Sequence, residues 1–356
     1  MKKTTVSMDQ LHTISLKLFL GMGYGEKEAA YAADVLVETD RRGVDTHGIA
    51  RLSFYYMVSK GGRVNKDAKI KVLRDEPPFL MVDADRGLGI VMAPQAVDMA
   101  IQKAAENGIC VMGVRNSSHF GAAGYYTAKC VDRGFIAMVC SNSGPTMAPI
   151  GGKASILGNS PWSIAIPGGF RHPDPVMFDM ACSEVARGKC ETAEREGIQV
   201  PLGWGVDKDG EPTTDPAAIL RGGSLLPFGG IKGYCVALLV EMLSSMLAFA
   251  SFGEEGDRDR RMVTDHFVLL MDPARFGSLD SIKAGIDDYV EKVKNSPLAA
   301  DAKEIIIPGE LEVRAIRDRT QHGVELDEAE TGALEKVAKE IGLLAEGQSF
   351  GDMLAW

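Results

Sequence analysis

The stretch "ICVMGVRNSSHFGAAGYYTAKCVDRGFIAMVCS", Ile109 to Ser141, sets the class of the fold. "ICVMGVR" is an apolar run of strand length and reads as a buried strand. "GAAGYYTAKCVDRG" reads as a helix, and "FIAMVCS" as the next strand. A strand feeding a helix that returns to a strand is a building unit of α/β layers. Upstream, "PQAVDMAIQKAAENG" is an amphipathic helix closed by Gly108, and "AKIKVLRDEPPFLMVDAD" gives two β-rich runs around a "DEPP" turn, a hairpin. Downstream, "WSIAIP" and "VMFDMA" are strands, and a helix runs through "SEVARGKCETAERE" with Ser183 as its cap. A Gly- and Pro-rich loop region spans Gly197 to Gly233, before a long apolar helix from Leu238 to Ala250. "HFVLLMD" is then a strand and "SIKAGIDDYVEKVKN" a helix.

Both flanks of this alternating middle are helical. Ser7 and Gln10 form a capping box before "LHTISLKLFLGMG", and a second helix covers "EKEAAYAADVLVETDRR". A third lies in "DTHGIARLSFYY" and ends at Gly61-Gly62. After "IIIPGE" helices resume, with Asp327 and Glu330 as a capping box before "TGALEKVAKEIGLL". The expectation is one helical domain built from residues 1–75 with 311–356, and an α/β domain over 76–310.

The 356 residues, 45% hydrophobic and 25% charged, provide ample material for a core. A formal net charge of −10 argues against a nucleic-acid or anionic-membrane surface, which would reward clustered Lys and Arg. "MKKTTVSMDQLHT" has no apolar segment behind its lysines and does not read as a secretory signal. "VALLVEMLSSMLAFASF" (Val236–Phe252) carries Glu241 and two serines, which suits a buried helix rather than a membrane span. The six cysteines show no CxxC spacing and read as reduced, packed residues of a cytoplasmic protein.

"DTHGIARLSFYY" (Asp45–Tyr56) holds the most suggestive polar pattern. If the helix begins at Thr46, then His47, Arg51 and Tyr55 recur at i, i+4 and i+8 and share one face. A proton donor, a fixed cation and a phenol on one stripe suit a small carboxylate substrate. The plainer alternative is a solvated polar face. In "RNSSHFGAAGYY", His119 falls at a strand-to-helix junction, where free backbone N–H groups and the helix dipole lower the pKa of a histidine. Equally, Ser117 or Ser118 caps the helix and His119 packs. His12, His172, His266 and His322 are assigned to structure or surface.

Other loops carry small residues that let backbone approach a ligand. These are "NSGPTMAPIGG", with Asn142 and Ser143, and "LGNSPW". "FDMACSEVARGK" puts Asp179 near a strand end, followed by the basic pair Arg187 and Lys189. That pair could meet a 2′-phosphate or form a solvated helix face. "PFGGIKGY" offers Lys232 in a glycine-rich turn that resembles an anion-holding one or simply leaves a lone lysine solvated, and "IPGE" places Glu310 at a helix start. "GLGIVM" and "GWGVDK" lack the third glycine of the dinucleotide fingerprint. No P-loop, HExxH or GxSxG is present, and no ligand spacing pairs the histidines, so no metal is expected.

Seven ordered segments, "DTHGIARL", "RNSSHFGAAGYY", "LGNSPW", "FDMACSEVARGK", "GWGVDKDGEPTTDP", "LLPFGGIKGY" and "IPGE", resemble the malate/L-lactate dehydrogenase family over about residues 10–345. This is the NAD(P)-dependent, non-Rossmann family that also holds sulfolactate, ureidoglycolate and diketogulonate oxidoreductases and cyclic ketimine reductases. The resemblance implies a largely antiparallel α/β scaffold for NAD or NADP over residues 76–310, a helical domain from both chain ends, and a homodimer. It implies His47 and His119 as acid/base candidates, with Thr46, Arg51 and Tyr55 at the substrate. Asn142, Ser143, Asp179, Met180, Ala181, Lys232, Gly309 and Glu310 fall on segments resembling cofactor contacts. Gly144, where ureidoglycolate-type members carry an acidic residue, argues against that substrate.

The implied reaction moves hydride between NAD(P)H and a small 2-oxo or 2-hydroxy acid of malate, lactate or sulfolactate type. A histidine supplies the proton and Arg51 holds the carboxylate. The alternatives are reduction of a cyclic ketimine carboxylate, a non-redox His-dependent lyase or isomerase, and a silent binding protein.

Overall fold

The computed structural model describes residues 3–248 and 263–356. The chain opens with strand β1 (Lys3–Val6) and helices α1 (Met8–Gly21) and α2 (Glu26–Arg41). The capping box of Ser7 and Gln10 is present at α1. The third helix does not begin at Thr46. Two short 3-10 turns, Asp45–His47 and Ile49–Arg51, come first, and α3 covers only Leu52–Lys60. Gly48 breaks the path between the turns with an extended ψ of −143°.

The hairpin follows as β2 (Lys71–Glu76) and β3 (Phe79–Asp83), then α4 (Gly89–Asn107), which starts five residues earlier than Pro94. Next come β4 (Ile109–Ser117), α5 (Ala123–Val131), β5 (Ile136–Ser141), β6 (Trp162–Ile166) and β7 (Val176–Met180). The strands stand where the apolar runs placed them. α6 (Arg187–Glu196) starts later than expected; Ser183 donates to Val185 O instead of capping it. The Gly- and Pro-rich region holds a small hairpin, β8 (Gly205–Val206) with β9 (Ser224–Leu225), around α7 (Pro216–Leu220).

The apolar helix α8 (Ile231–Glu241) continues into a π-helical turn, Met242–Met246; the end of its expected span, 249–250, lies outside the described residues. β10 (Thr264–Met271), α9 (Leu279–Lys294), α10 (Glu310–His322), β11 (Val324–Asp327), α11 (Glu328–Glu340) and α12 (Phe350–Met353) complete the chain. Among the described residues no helix is long and apolar enough to cross a membrane.

The seven-stranded sheet has the order β2-β3-β4-β10-β5-β6-β7. Only β3 and β4 pair in parallel, so the scaffold is the largely antiparallel α/β sheet that the resemblance implied. The late strand β10 inserts between β4 and β5, a placement that periodicity cannot reveal. It puts Asp265 beside Asn116 and Asn142 at one end of the sheet.

The chain ends meet directly. β1 pairs antiparallel with β11, Val6 opposite Val324, and neither strand was expected. One continuous core runs from Leu11, Leu18 and Leu36 through Leu334 and Val337 to Val82, Met112 and Val268 of the sheet. The terminal helices therefore bury their apolar faces against each other and against the sheet, which is where hydrophobic stabilisation is gained. A variant lacking residues 1–75 should expose this shared core and yield no soluble protein with a cooperative unfolding transition; a soluble, cooperatively unfolding product would show the ends to be dispensable.

Gly48 has a second constraint. A Cβ there would stand 1.7 Å from Asp40 Oδ1, inside the buried carboxyl of α2. Gly48→Ala should cost about 1–3 kcal/mol as overpacking, seen as a lower denaturation midpoint. An unchanged midpoint would mean that the corner yields freely.

Candidate active site

The geometry is set by Asp40. Its carboxyl, 1% exposed, accepts the Ile49 N–H at 2.7 Å and fills the space beneath Gly48. Burial pushes it up to about 8. Asp40 thereby holds the corner between the two 3-10 turns, and with it the separation of His47 from Arg51. Asp45, at the start of the first turn, is forked by Arg319 of α10, which also donates to the Asp40 carbonyl. The C-terminal part of the chain thus clamps the same corner.

The His47, Arg51, Tyr55 stripe does not exist as a continuous helical face, because the helix starts at Leu52. The residues converge by another route. Arg51 Nε donates to Thr46 O at 2.7 Å, folding its guanidinium back over the first turn. His47 stacks on His119, ring centroids 5.6 Å apart and planes within 18°. Buried Tyr55 reaches His119 Nδ1 through its hydroxyl at 2.7 Å, and the Phe54 ring packs edge-on to His119. Thr46, His47, Arg51, Tyr55 and His119 form one cluster.

His119 sits on the segment after β4, but neither serine caps α5. Ser118 Oγ instead accepts the Gly89 N–H at 2.8 Å and donates to Gly87 O, fixing the start of α4 against this loop. Gly89 cannot carry a side chain: its Cβ would lie 2.1 Å from Ser118 O. "GLG" is therefore a close-packing signal and not a nucleotide fingerprint. His119 is held down to about 3, chiefly by burial and then by His47 and Arg51. The effect expected from the helix dipole is carried by burial. His47 falls to about 4 by burial and by the Arg51 charge.

The two imidazoles differ in their partners. His119 Nδ1 faces the Tyr55 hydroxyl and also the Gly121 N–H at 3.4 Å, and a backbone N–H can only donate. Nδ1 is therefore an acceptor, and the neutral ring carries its proton on Nε2. His47 Nδ1 faces the Thr46 hydroxyl at 2.9 Å, which can donate or accept. On gaining a second proton His47 keeps its Thr46 partner, whereas His119 keeps Tyr55 but turns a donor toward the Gly121 N–H. The remaining histidines are structural or at the surface. His266 is buried, bonded to Ser141 and stacked 4.3 Å beneath Phe120, while His12 and His322 pair with Asp34 and Asp318. His172 lies in the turn fastened to Asp287 by backbone N–H groups.

The candidate cofactor residues gather along β7 and its continuation. Met177 N donates to Pro308 O, Phe228 N to Cys182 O, and Cys182 N to Asn159 O. Ser143 Oγ donates to Asn159 Oδ1 at 2.7 Å. Residues 142–143, 179–181, 228–232 and 307–310 are thus tied through backbone and Asn159, whose role the sequence did not single out. Several side chains are already engaged. The Asn142 amide bonds Ser245 and Asp265. The Asp179 carboxylate accepts Gly124 N–H at 2.8 Å and is pushed up to about 6 by burial. Glu310 pairs with Lys294 at 2.5 Å. Gly309, at φ 99°, has no room for a Cβ against Pro175 O.

A nicotinamide dinucleotide needs an anion cradle for its diphosphate, and the donor set at α8 fits one. Gly229 and Gly230 have positive φ with open space around each, α8 has no side-chain cap, and Lys232 is exposed with no ion pair among the described residues. The Gly229 N–H already donates to Glu184 Oε2 at 3.2 Å and the Gly230 and Gly233 N–H groups to Pro227 O and Phe228 O, so the cradle rests on Lys232 and the first N–H groups of α8, which attract phosphate oxygens.

Thr46 and Arg51 line a cleft of about 700 Å³ together with residues of α6 and the 198–204 segment. The chain is similar to known proteins along most of its length. A family model described as malate/L-lactate dehydrogenase matches residues 6–335. The chain is 38% identical to the L-sulfolactate dehydrogenase of Methanocaldococcus jannaschii, covering 91% of this chain and 93% of the relative. The solved structure of malate dehydrogenase from Entamoeba histolytica superposes with a TM-score of 0.90 at 29% identity, covering 97% and 100% of the two chains. The delta1-piperideine-2-carboxylate reductase of Pseudomonas syringae superposes with a TM-score of 0.84 at 28% identity, covering 94% and 100%. With the fold, the ordered segments and the family model in agreement, the chain belongs to the malate/L-lactate dehydrogenase family, an enzyme family of hydroxyacid dehydrogenases.

Proposed function

We propose that this enzyme interconverts small 2-oxo and 2-hydroxy acids, with NAD or NADP as the redox partner. The observation that supports the reading is the stacked pair of His47 and His119, with His119 bonded to Tyr55 and His47 to Thr46, which together with Arg51 lines one cleft. Reduction adds a hydride to the 2-oxo carbon and a proton to its oxygen. When bound, the cofactor supplies the hydride; Lys232 with the first N–H groups of α8 would hold its diphosphate. Asn142, Ser143, Asp179, Met180, Ala181, Gly309 and Glu310 would border it, the engaged side chains mainly as backbone framework.

Arg51 takes the substrate carboxylate. Its Nε is spent on Thr46 O, and the remaining amino groups are the fork that grips two oxygens. His119 donates a hydrogen bond from Nε2 to the 2-oxygen as a neutral imidazole. His47 carries the proton, because Thr46 can follow its change of charge. A bound carboxylate offsets the Arg51 charge that depresses His47, so substrate favours proton uptake at the same ring. In oxidation the steps reverse, with His47 accepting the hydroxyl proton.

We infer further that two copies associate. Ile231 and Leu239 on α8 and Met242 at the start of the π-helical turn stand exposed, an apolar face suited to a second copy.

Nicotinamide absorbance followed over a panel of 2-oxo acids and cyclic imines tests the reading. Turnover of 2-oxo acids supports it; turnover of imines alone would assign the ketimine reaction, and no turnover of either would remove the redox reading. Within active protein, Arg51→Lys should raise substrate KM by about 10–100-fold and leave cofactor Kd unchanged, since a point charge replaces a fork. A parallel loss of both affinities would exclude the clamp. In the oxidation direction, His47 must be neutral, and its lowered pKa keeps it so down to about pH 4. The acid limb of kcat/KM should therefore lie near 4 rather than at the ordinary value of a free histidine. His47→Asn should cut kcat by about 10²–10⁴-fold and abolish this limb, whereas His119→Asn slows the reaction and keeps it. Loss of the limb with His119 instead would reverse the two roles.

A further inference from the structure

β10 lies between β4 and β5, and those two strands end at the segments that carry His119 and Asn142. Its regular pairing stops at the same level. Thr264 stands opposite Ser117 and His266 opposite Val114, so the register with β4 shifts and Arg115 and Asn116 together face Asp265. Such a bulge bends its strand and re-aims the side chains beyond it. Asn116 takes a left-handed conformation there, at φ 53°, just before the Ser117–His119 segment.

Asp265, 4% exposed, spends both carboxylate oxygens and its backbone on the two strand ends. One oxygen accepts the Asn116 N–H at 3.0 Å, and the other accepts an Asn142 amide N–H at 3.3 Å. Its own N–H donates to Asn142 Oδ1 at 2.7 Å, and its carbonyl accepts the Asn142 backbone N–H at 3.3 Å. A backbone N–H can only donate, so Asn142 Oδ1 is the acceptor and its NH2 group faces the carboxylate and Ser245. Ser245 belongs to the π-helical turn that continues α8, the helix that begins beside Lys232. One buried carboxylate thereby fastens the loop of His119 to the loop of Asn142 and Ser143.

We propose that Asp265 is a positioning residue that sets the His119 loop in register with the cofactor loop of Asn142 and Ser143. This rests on the functional reading above, in which His119 meets the 2-oxygen and residues 142–143 border the cofactor. Hydride and proton must reach neighbouring atoms of one carbonyl group, so an error in the spacing of the two loops slows the reaction even with both ligands bound. The ionised form does this best. A carboxylate accepts from Asn116 and Asn142 at once, whereas a proton turns one oxygen into a donor and a poor acceptor. Burial pushes Asp265 up to about 6, opposed by its bonds to Asn116 and Asn142 and by the Arg115 charge. The other groups in its field are Asp83, paired with Arg115, Glu241, which accepts Ser160 Oγ, and His266, kept neutral by burial. The proton therefore enters as the pH falls through about 6, and the tie between the loops weakens below it.

The experiment titrates NADH and NADPH into wild type, Asp265→Asn and Thr264→Val from about pH 5 to about pH 8, read by nicotinamide fluorescence. Turnover of pyruvate and oxaloacetate is measured beside it. Wild-type cofactor affinity should fall as the pH drops below about 6. Asp265→Asn should weaken cofactor binding about tenfold at neutral pH, lower kcat about tenfold, leave substrate KM within about threefold and abolish the pH limb. Thr264→Val removes a neighbouring buried hydroxyl with no partner among the described residues, and should keep both affinity and limb. Asp265→Asn with a lowered thermal midpoint but wild-type cofactor affinity overturns the proposal, since a merely structural residue would do only that. A limb that survives the substitution also overturns it and belongs to another group, such as the 2′-phosphate of NADPH. If Asp265→Asn does not fold, the wild-type NADH profile decides: a limb near 6 supports the proposal and a flat profile overturns it. Wild type that binds neither cofactor would instead remove the functional reading, and the proposal with it.

Discussion

The site depends on one buried carboxyl. Asp40 lies beneath Gly48 and holds the Ile49 N–H, and this contact turns what would be a continuous helix into two separate 3-10 turns. A regular helix would place His47 and Arg51 one above the other, 1.5 Å of rise per residue apart along a straight axis. The corner instead lets Arg51 fold back onto Thr46 O while His47 turns to stack on His119. Burying a carboxyl is costly, and the cost is offset by the backbone donor and by the Arg319 charge nearby. The locally irregular path lies at the candidate site, and such irregularity is common at functional sites.

That corner is held from both ends of the chain. Arg319 of α10 reaches Asp45 and the Asp40 carbonyl, and α10 is followed directly by β11, which pairs with β1. Closure of the termini by a two-stranded sheet therefore bears on the candidate catalytic cluster as well as on the core. The core itself is continuous from the terminal helices to the central sheet, so displacement of either part would propagate to the other.

Electrostatics divides the site into two regimes. His47 and His119 sit where burial and Arg51 suppress the charged form, which keeps both imidazoles neutral and available as a donor and an acceptor. The cleft beyond them carries cations, Arg51 on one side and Lys189 of α6 on the other, beside Glu330. In the function proposed, an anionic substrate would bridge these regimes, neutralising the Arg51 charge that opposes protonation of His47. The Thr46 hydroxyl, able to donate or accept, makes His47 the ring that can respond.

The sequence by itself determined the class of the fold, because strand-length apolar runs and amphipathic helices are local patterns. "ICVMGVR", "FIAMVCS", "WSIAIP" and "VMFDMA" all became sheet strands, and both capping boxes formed as spaced. It placed His47, Arg51 and Tyr55 on one supposed helical stripe, which is interrupted at Gly48; the structure brings these three and His119 into one cluster by another route. Strand order was not legible: β10 enters between β4 and β5 through pairing across more than 100 residues, which no local periodicity encodes. The short strands β1 and β11 are defined only by each other. Tertiary structure alone decided that Asp40 shapes the corner, that Ser118 caps α4 rather than α5, and that Lys189 faces the cleft while Arg187 turns away. Each of these is a choice of partner for a polar group, and such a choice follows from which surfaces the folded chain brings within hydrogen-bond reach.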